Sequence, residues 1–150
     1  MKVLIAVDGS EIAQKAFNYY FENFHREGNE VLVCYRSEQP DLPTIMFTAG
    51  GASFPAEEIA KIMTEHNKKV NDMENQYVMA CKNLKAKYKV LFETSAGRPG
   101  PGIIKLVEKE CVEMIVMGTR GLGVIKRTVM GSVSNYVVHH AKVPVLICPN

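Results

Sequence analysis

The sequence has no apolar run near the ~20 residues that a membrane-spanning helix needs, no CxxC pair, and no aspartate or glutamate after Glu113. The first absence argues against a helical membrane protein. The second leaves Cys34, Cys81, Cys111 and Cys148 scattered, with no Cys/His cluster suited to zinc. They read as structural thiols, small hydrophobes of a reducing, cytoplasmic compartment. His139 and His140 are adjacent, and neighbouring helical residues point in different directions, so they make a poor metal pair. A net charge of only +2 gives no global attraction to nucleic acid. The opening Met1 to Asp8 is too short in apolar residues for a signal peptide and ends in an acid, so a strand is expected there.

The third absence is local. Beyond Glu113 the chain carries Arg120, Lys126, Arg127 and Lys142 without a single carboxylate side chain. Such a stretch is either a solvated basic surface or a seat for a polyanion.

What the chain does contain fits one globular domain spanning residues 1–150, long enough to bury a core without staples. Short apolar runs at Lys2 to Val7, Glu30 to Tyr35, Tyr88 to Glu93, Glu113 to Met117 and Val143 to Cys148 read as strands covered on both faces. Pro144 favours an edge position for the last. Between the runs, apolar residues recur at helical spacing: Ala13, Ala16, Phe17, Tyr20, Phe21 and Phe24, closed by Gly28 and Asn29, then a long stripe from Ile59 to Leu84. Ile103 or Ile104, Val107 and Cys111 mark a short third helix, and Ser132 to Ala141 a fourth. The long helix is expected to outrun the strand layer and to project or bend, with its methionines as core filler. Ser37 to Pro55 reads as a long loop and Ser95 to Gly102 as a turn. Strands alternating with helices predict an α/β, Rossmann-like fold: an open parallel sheet with helices on both faces and right-handed crossovers.

In such sheets ligands bind beyond the carboxyl ends of the strands. Asp8 falls at the end of the first strand. The segment Gly118-Thr119-Arg120-Gly121-Leu122-Gly123 follows the fourth and runs on to Gly131-Ser132-Val133-Ser134, which opens the last helix. Glycines let backbone N–H groups approach a phosphate, and a helix N-terminus adds unpaired donors and a favourable dipole. Arg120, Lys126 and Arg127 add charge, and the serines add hydroxyls. Asp8 can accept from ribose hydroxyls or base donors, or serve as a turn and cap residue. There is no GxxxxGK[ST], so the P-loop is excluded, and the three glycines fit neither the spacing nor the place of GxGxxG.

The pattern Gly118-x-x-Gly121, nine residues, then Gly131-Ser132 resembles the ATP-binding motif of universal stress proteins. The likeness extends to the opening Val-Leu-Ile-Ala-Val-Asp-Gly-Ser, Gly97-x-Pro99, Ile115-Val-Met-Gly118 and Pro144-Val-Leu-Ile. The resemblance implies a five-stranded sheet of order 3-2-1-4-5. It implies that Asp8 and the backbone near Ala6 meet adenosine, that the backbone near Tyr35 faces adenine, and that Met117 and Gly118 line base and ribose. Gly121, Gly131, Ser132, Val133 and Ser134 would then hold the phosphates, with Arg120 beside them. ATP is the implied ligand, with ADP or AMP as alternatives, with or without Mg²⁺, in a stress-response protein that dimerises through Val143 to Cys148. Two features depart from the family: Cys34-Tyr35 stands where a His-Val pair is common, and Pro-Gly-Pro-Gly from Pro99 to Gly102 is a longer run. The segment supplies donors and charge but no evident general base, which favours binding over turnover. The alternatives are a slow ATPase or phosphotransferase using Asp8 for a metal and Lys126 or Arg127 for phosphate, and a nucleotide-free interaction module.

Overall fold

The computed structural model describes residues 1–37, 56–94, 97–119 and 130–149. They form strands β1 (Lys2–Val7), β2 (Glu30–Ser37), β3 (Lys87–Thr94), β4 (Met114–Gly118) and β5 (Val145–Cys148), with helices α1 (Glu11–Asn23), α2 (Ala56–Asn83), α3 (Pro99–Lys109) and α4 (Ser132–His140). The strands make one parallel sheet of order β3-β2-β1-β4-β5. The order implied by the family resemblance is therefore the observed one. The chain first builds outward from β1 through β2 to β3, then crosses to β4 on the other side, so the order reverses between β1 and β4.

β1 shows why the sheet is covered on both sides. Val3, Ile5 and Val7 face Ala13, Phe17 and Tyr20 of α1 and Tyr77 and Cys81 of α2. Leu4 and Ala6 face the opposite way, against Ile103 and Val107 of α3 and Val137 of α4. Every second residue serves one core, so a near-continuous apolar run results. Pro144 sits just before β5 and uses only its carbonyl, which accepts from Ile115 N–H at 2.9 Å. The edge position expected from that proline is the one β5 takes.

Strand and helix ends shift by a residue or two, β5 for example starting at Val145, and three further differences from the sequence reading stand out. The turn expected over Ser95 to Gly102 is, from Pro99 on, the first turn of α3. Prolines are tolerated there because the first N–H groups of a helix have no intrahelical acceptor. Cys111, expected on the inner face of that helix, lies beyond its end, exposed and with φ of 52°. The Val112 N–H bonds to the Val107 carbonyl at 3.0 Å, the 6→1 closure of a Schellman turn, and this turns Cys111 outward. α1 ends at Asn23 instead of running to Gly28, and Phe24 is left exposed. Cys34, Cys81 and Cys148 are buried, as structural thiols would be.

α2 has 28 residues, roughly 42 Å at 1.5 Å per residue, against about 26 Å for the eight residues of β3. Its buried side chains, Tyr77 and Cys81, both lie in the second half. Of the methionines in the stripe, Met73 packs on the core and Met63 is half-buried, while Met79, off the stripe, is exposed. Among the described residues no helix is long and apolar enough to cross a membrane.

Candidate functional site

At the end of β1 the chain turns through Asp8, Gly9 and Ser10 into α1. Asp8 Oδ1 accepts from the Ser10 N–H at 3.0 Å and the Ser10 hydroxyl at 2.6 Å. Ser10 Oγ in turn accepts from the Ala13 N–H at 3.2 Å and caps the helix. Both readings of Asp8 are thus compatible: one oxygen is committed to the turn, while no described residue engages Oδ2. Gly9 has φ of +81°, and a Cβ there would stand 3.2 Å from Met73 Sδ, so α2 leans close over this turn. Tyr77 on α2 is 2% exposed. Its burial, and secondarily the charge of Asp8, push its hydroxyl up to about 12, so it stays protonated.

Register sets the neighbours of this turn. Ala6 pairs with Cys34 and Val7 with Tyr35. The Tyr35 ring lies in the core on the α1/α2 side, stacked on Phe92 with centroids 5.2 Å apart. The ring is thus committed to the core, which leaves the backbone as the part of Tyr35 at the strand end. Ala6 and Met117 are buried on the other face, under α3 and α4.

Beyond β4 the geometry is a clamp. The Thr119 N–H continues the ladder to Cys148 O at 2.9 Å, and the Thr119 carbonyl accepts from the Gly131 N–H at 2.8 Å and the Ser134 hydroxyl at 2.8 Å. The chain between, including Arg120, Gly121, Gly123, Lys126 and Arg127, lies outside the described residues. Its two ends are nevertheless fastened together, which fixes the start of α4 directly past the end of β4. Gly131 is the N-cap, with no side-chain capping bond, and the first turn of α4 carries no acid. Among the described residues nothing accepts from the N–H groups of Ser132, Val133 and Ser134, while the ladder of the helix begins with Asn135 N–H to Gly131 O at 2.8 Å.

All of the expected site residues but Arg120 and Gly121 lie within the described residues, and several of them stand at one rim. Asp8, Gly118, Gly131, Ser132 and Val133 stand at the carboxyl ends of β1 and β4. Ser134 is there too, but 2% exposed, with its hydroxyl committed to the Thr119 and Gly131 carbonyls. What it has left to offer an anion is its backbone N–H. Sequence reasoning missed Thr119, whose carbonyl closes the clamp, and Tyr77, which nothing in the stripe of α2 distinguishes. It also missed Arg36, whose Nη1 donates to the Gly102 carbonyl at 2.9 Å; a charged residue ending an apolar strand was the available signal. α3 and α4 meet closely at Gly100, where a Cβ would lie 2.8 Å from Tyr136 Cδ1. Tyr136 also stacks on His140 at 3.8 Å, and among the described residues no group of three or more His, Cys, Asp or Glu is placed to hold a metal.

Chemically, the rim offers N–H donors for an anion at one end and a carboxylate acceptor for hydroxyls at the other. Comparison with known proteins gives the same frame. The model of the Universal stress protein family matches residues 1–149. A universal stress protein of Thermus aquaticus is 32% identical over 146 residues, covering 97% of this chain and 96% of that one. The structure of MJ0577 of Methanocaldococcus jannaschii superposes with a TM-score of 0.70 at 27% identity, over 99% of this chain and 95% of the other. A universal stress protein family protein of Arabidopsis thaliana, solved with AMP bound, gives a TM-score of 0.70 at 20% identity, over 100% and 92%, and shares the fold. With its family pattern matched from end to end and its sheet in the same order, this chain belongs to the universal stress protein family.

Proposed function

We propose that this protein binds an adenine nucleotide across the carboxyl end of its sheet and acts as a cytoplasmic stress-response regulator through nucleotide-dependent conformation or assembly. The observation that carries the reading is the clamp at Thr119. It sets past β4 three N–H groups of α4 that no described residue accepts, on the same rim as Asp8, whose Oδ2 no described residue engages. A phosphate suits the first and ribose hydroxyls suit the second. The Arabidopsis relative, which has AMP bound, supports the adenine class of ligand. ATP is the form proposed here, because the sequence between Thr119 and Met130 carries Arg120, Gly121, Lys126 and Arg127 and no acid, a composition suited to more than one phosphate. Val145, Leu146 and Ile147 are half-buried on the edge strand β5, and this apolar edge is the proposed face of a homodimer.

The test is direct. Freshly purified protein is denatured and the supernatant examined by mass spectrometry, and nucleotide-stripped protein is titrated calorimetrically with ATP, ADP and AMP. A released or bound adenine nucleotide, lost in Gly131→Asp, is expected. A folded protein that neither carries nor binds one refutes the reading.

A further inference from the structure

We infer that Arg36 is a base-recognition residue of the proposed nucleotide site, held in place by the absence of a side chain at Gly102. The inference rests on the nucleotide reading above and adds to it a residue that selects the base.

Arg36 follows Tyr35, which pairs with Val7. It therefore stands one strand away from Asp8, about 4.8 Å across the sheet. Alternation along β2 puts Leu32 and Cys34 in the core under α3 and α4, and Arg36 continues that row. Its contact with α3 agrees: Nη1 donates to the Gly102 carbonyl at 2.9 Å. A Cβ on Gly102 would lie 2.8 Å from Nε, 2.9 Å from Cζ and 3.0 Å from Cδ. The guanidinium thus occupies a gap that only glycine leaves, against the first turn of α3, half-buried.

The start of α4 lies on this same side of the sheet, packed on α3 through Gly100 and Tyr136. A ligand with its phosphates at α4 and its ribose at Asp8 runs across β1 toward β2. Its third part, the base, then arrives at the end of β2 on the α3/α4 side, where the guanidinium is fixed. A planar cation on a planar aromatic ring is a favourable pairing, stronger for Arg than for Lys because the guanidinium is itself flat and weakly hydrated. The adenine ring system offers a larger face than a pyrimidine, so Arg36 biases the site toward purines. The Pro-Gly-Pro-Gly run acquires a reason here: Gly100 admits the Tyr136 ring and Gly102 admits Arg36.

The experiment measures calorimetric affinities for ATP and CTP in the full chain and in Arg36→Gln, Arg36→Leu and Gly102→Ala. Arg36→Gln retains a donor for the Gly102 carbonyl but loses the cation and its plane, and thermal unfolding verifies that it is folded. Wild type is expected to prefer ATP. Both Arg36 variants are expected to lose about tenfold for ATP and markedly less for CTP, the size of a desolvated cation–π contact. Gly102→Ala, which displaces the guanidinium, shifts the ratio the same way. Equal ATP affinity in wild type and Arg36→Gln, or equal proportional losses for ATP and CTP, overturns the inference while leaving the nucleotide reading intact. A wild-type protein that binds neither overturns both.

Discussion

Ser134 decides between two roles for a hydroxyl at the start of α4, as a fastener of the fold or as a donor to the ligand. Its single proton goes to the Thr119 carbonyl at 2.8 Å or the Gly131 carbonyl at 3.0 Å. In Ser134→Ala neither carbonyl is orphaned: Thr119 O keeps the Gly131 N–H at 2.8 Å, and Gly131 O keeps the Asn135 N–H at 2.8 Å. The cost is therefore the net worth of one hydrogen bond, about 1 kcal/mol, and not the larger penalty of a buried unpaired acceptor. For a domain of this length that lowers Tm by roughly 2–4 °C. In urea it moves the midpoint by about 0.3–1 M with the slope unchanged. The backbone N–H of residue 134 survives, so nucleotide affinity should fall no more than a few-fold. An unchanged midpoint together with a loss of nucleotide affinity of about a hundredfold (roughly 2.7 kcal/mol) would refute the fastener role. A destabilisation of about 3 kcal/mol or more would refute the claim that both carbonyls stay satisfied.

Three further outcomes follow from the geometry. Gly100→Ala forces a Cβ to within 2.8 Å of the Tyr136 ring, so overpacking of about 1–3 kcal/mol should outweigh the better helix propensity of alanine, visible as a lowered urea midpoint. Glu110 is held down to about 2 by hydrogen bonds from Lys89 at 2.7 Å and Lys2 at 2.9 Å. The unfolded chain takes up this proton near the ordinary value of 4.5 and the folded chain only near 2, so its contribution is full above about pH 4.5 and lost toward pH 2. Denaturation at stepped pH should show Glu110→Gln lacking that part of the acid sensitivity, and an identical acid profile would exclude it. Tyr77 should release its proton only near pH 12, because of burial first and Asp8 second. In Asp8→Asn its ultraviolet titration should move down while staying above the ordinary 10, and no movement would separate the two groups.

Much of this frame is legible in the residues because one local signal served each element. β1 is apolar at every position from Val3 to Val7 because it feeds two cores, and Asp8-Gly9-Ser10 has the composition of a turn and cap. The misreadings share a cause, since the same residue types serve two local structures. Pro99 and Pro101 signal a turn in general, yet they are compatible with a first helical turn, where N–H groups are surplus. Cys111 stands four residues after Val107 and so matches the inner stripe, but a Schellman closure outweighs the periodicity. At the rim, the glycines and Asp8 were readable from their place after strands. The clamp was not, because the carbonyl of Thr119 is a backbone group that every residue carries. Arg36 and Gly102 are 66 residues apart, and only the register of β2 and the path of α3 bring them together.

Among the described residues, the two ends of the sheet differ in how fully their polar groups are used, and the difference agrees with a ligand at the carboxyl end. At the amino end, Lys2 meets Glu110 at 2.9 Å, Lys89 meets Glu110 at 2.7 Å, Lys87 meets Glu30 at 2.9 Å, and the Lys2 N–H bonds Glu113 at 2.6 Å. At the carboxyl end the helix starts are handled unequally. α1 has Ser10 as a cap, and α3 opens with Pro99 and Pro101, which delete two of its surplus donors. α4 does neither: its N-cap is Gly131, it has no proline in its first turn, and its one buried serine turns its hydroxyl back onto carbonyls. Among the described residues, three N–H groups therefore lack an acceptor at the rim where the strand order reverses, the rim that also carries Asp8, one oxygen of which no described residue engages. Helix donors left without an acceptor are filled by water or by an anion. Filling them with a side chain supplies a decisive contrast: Gly131→Asp places a capping carboxylate on these same donors, so it should raise the stability of the unliganded protein while abolishing nucleotide binding. A variant that gains stability and still binds ATP would show that the phosphates sit elsewhere.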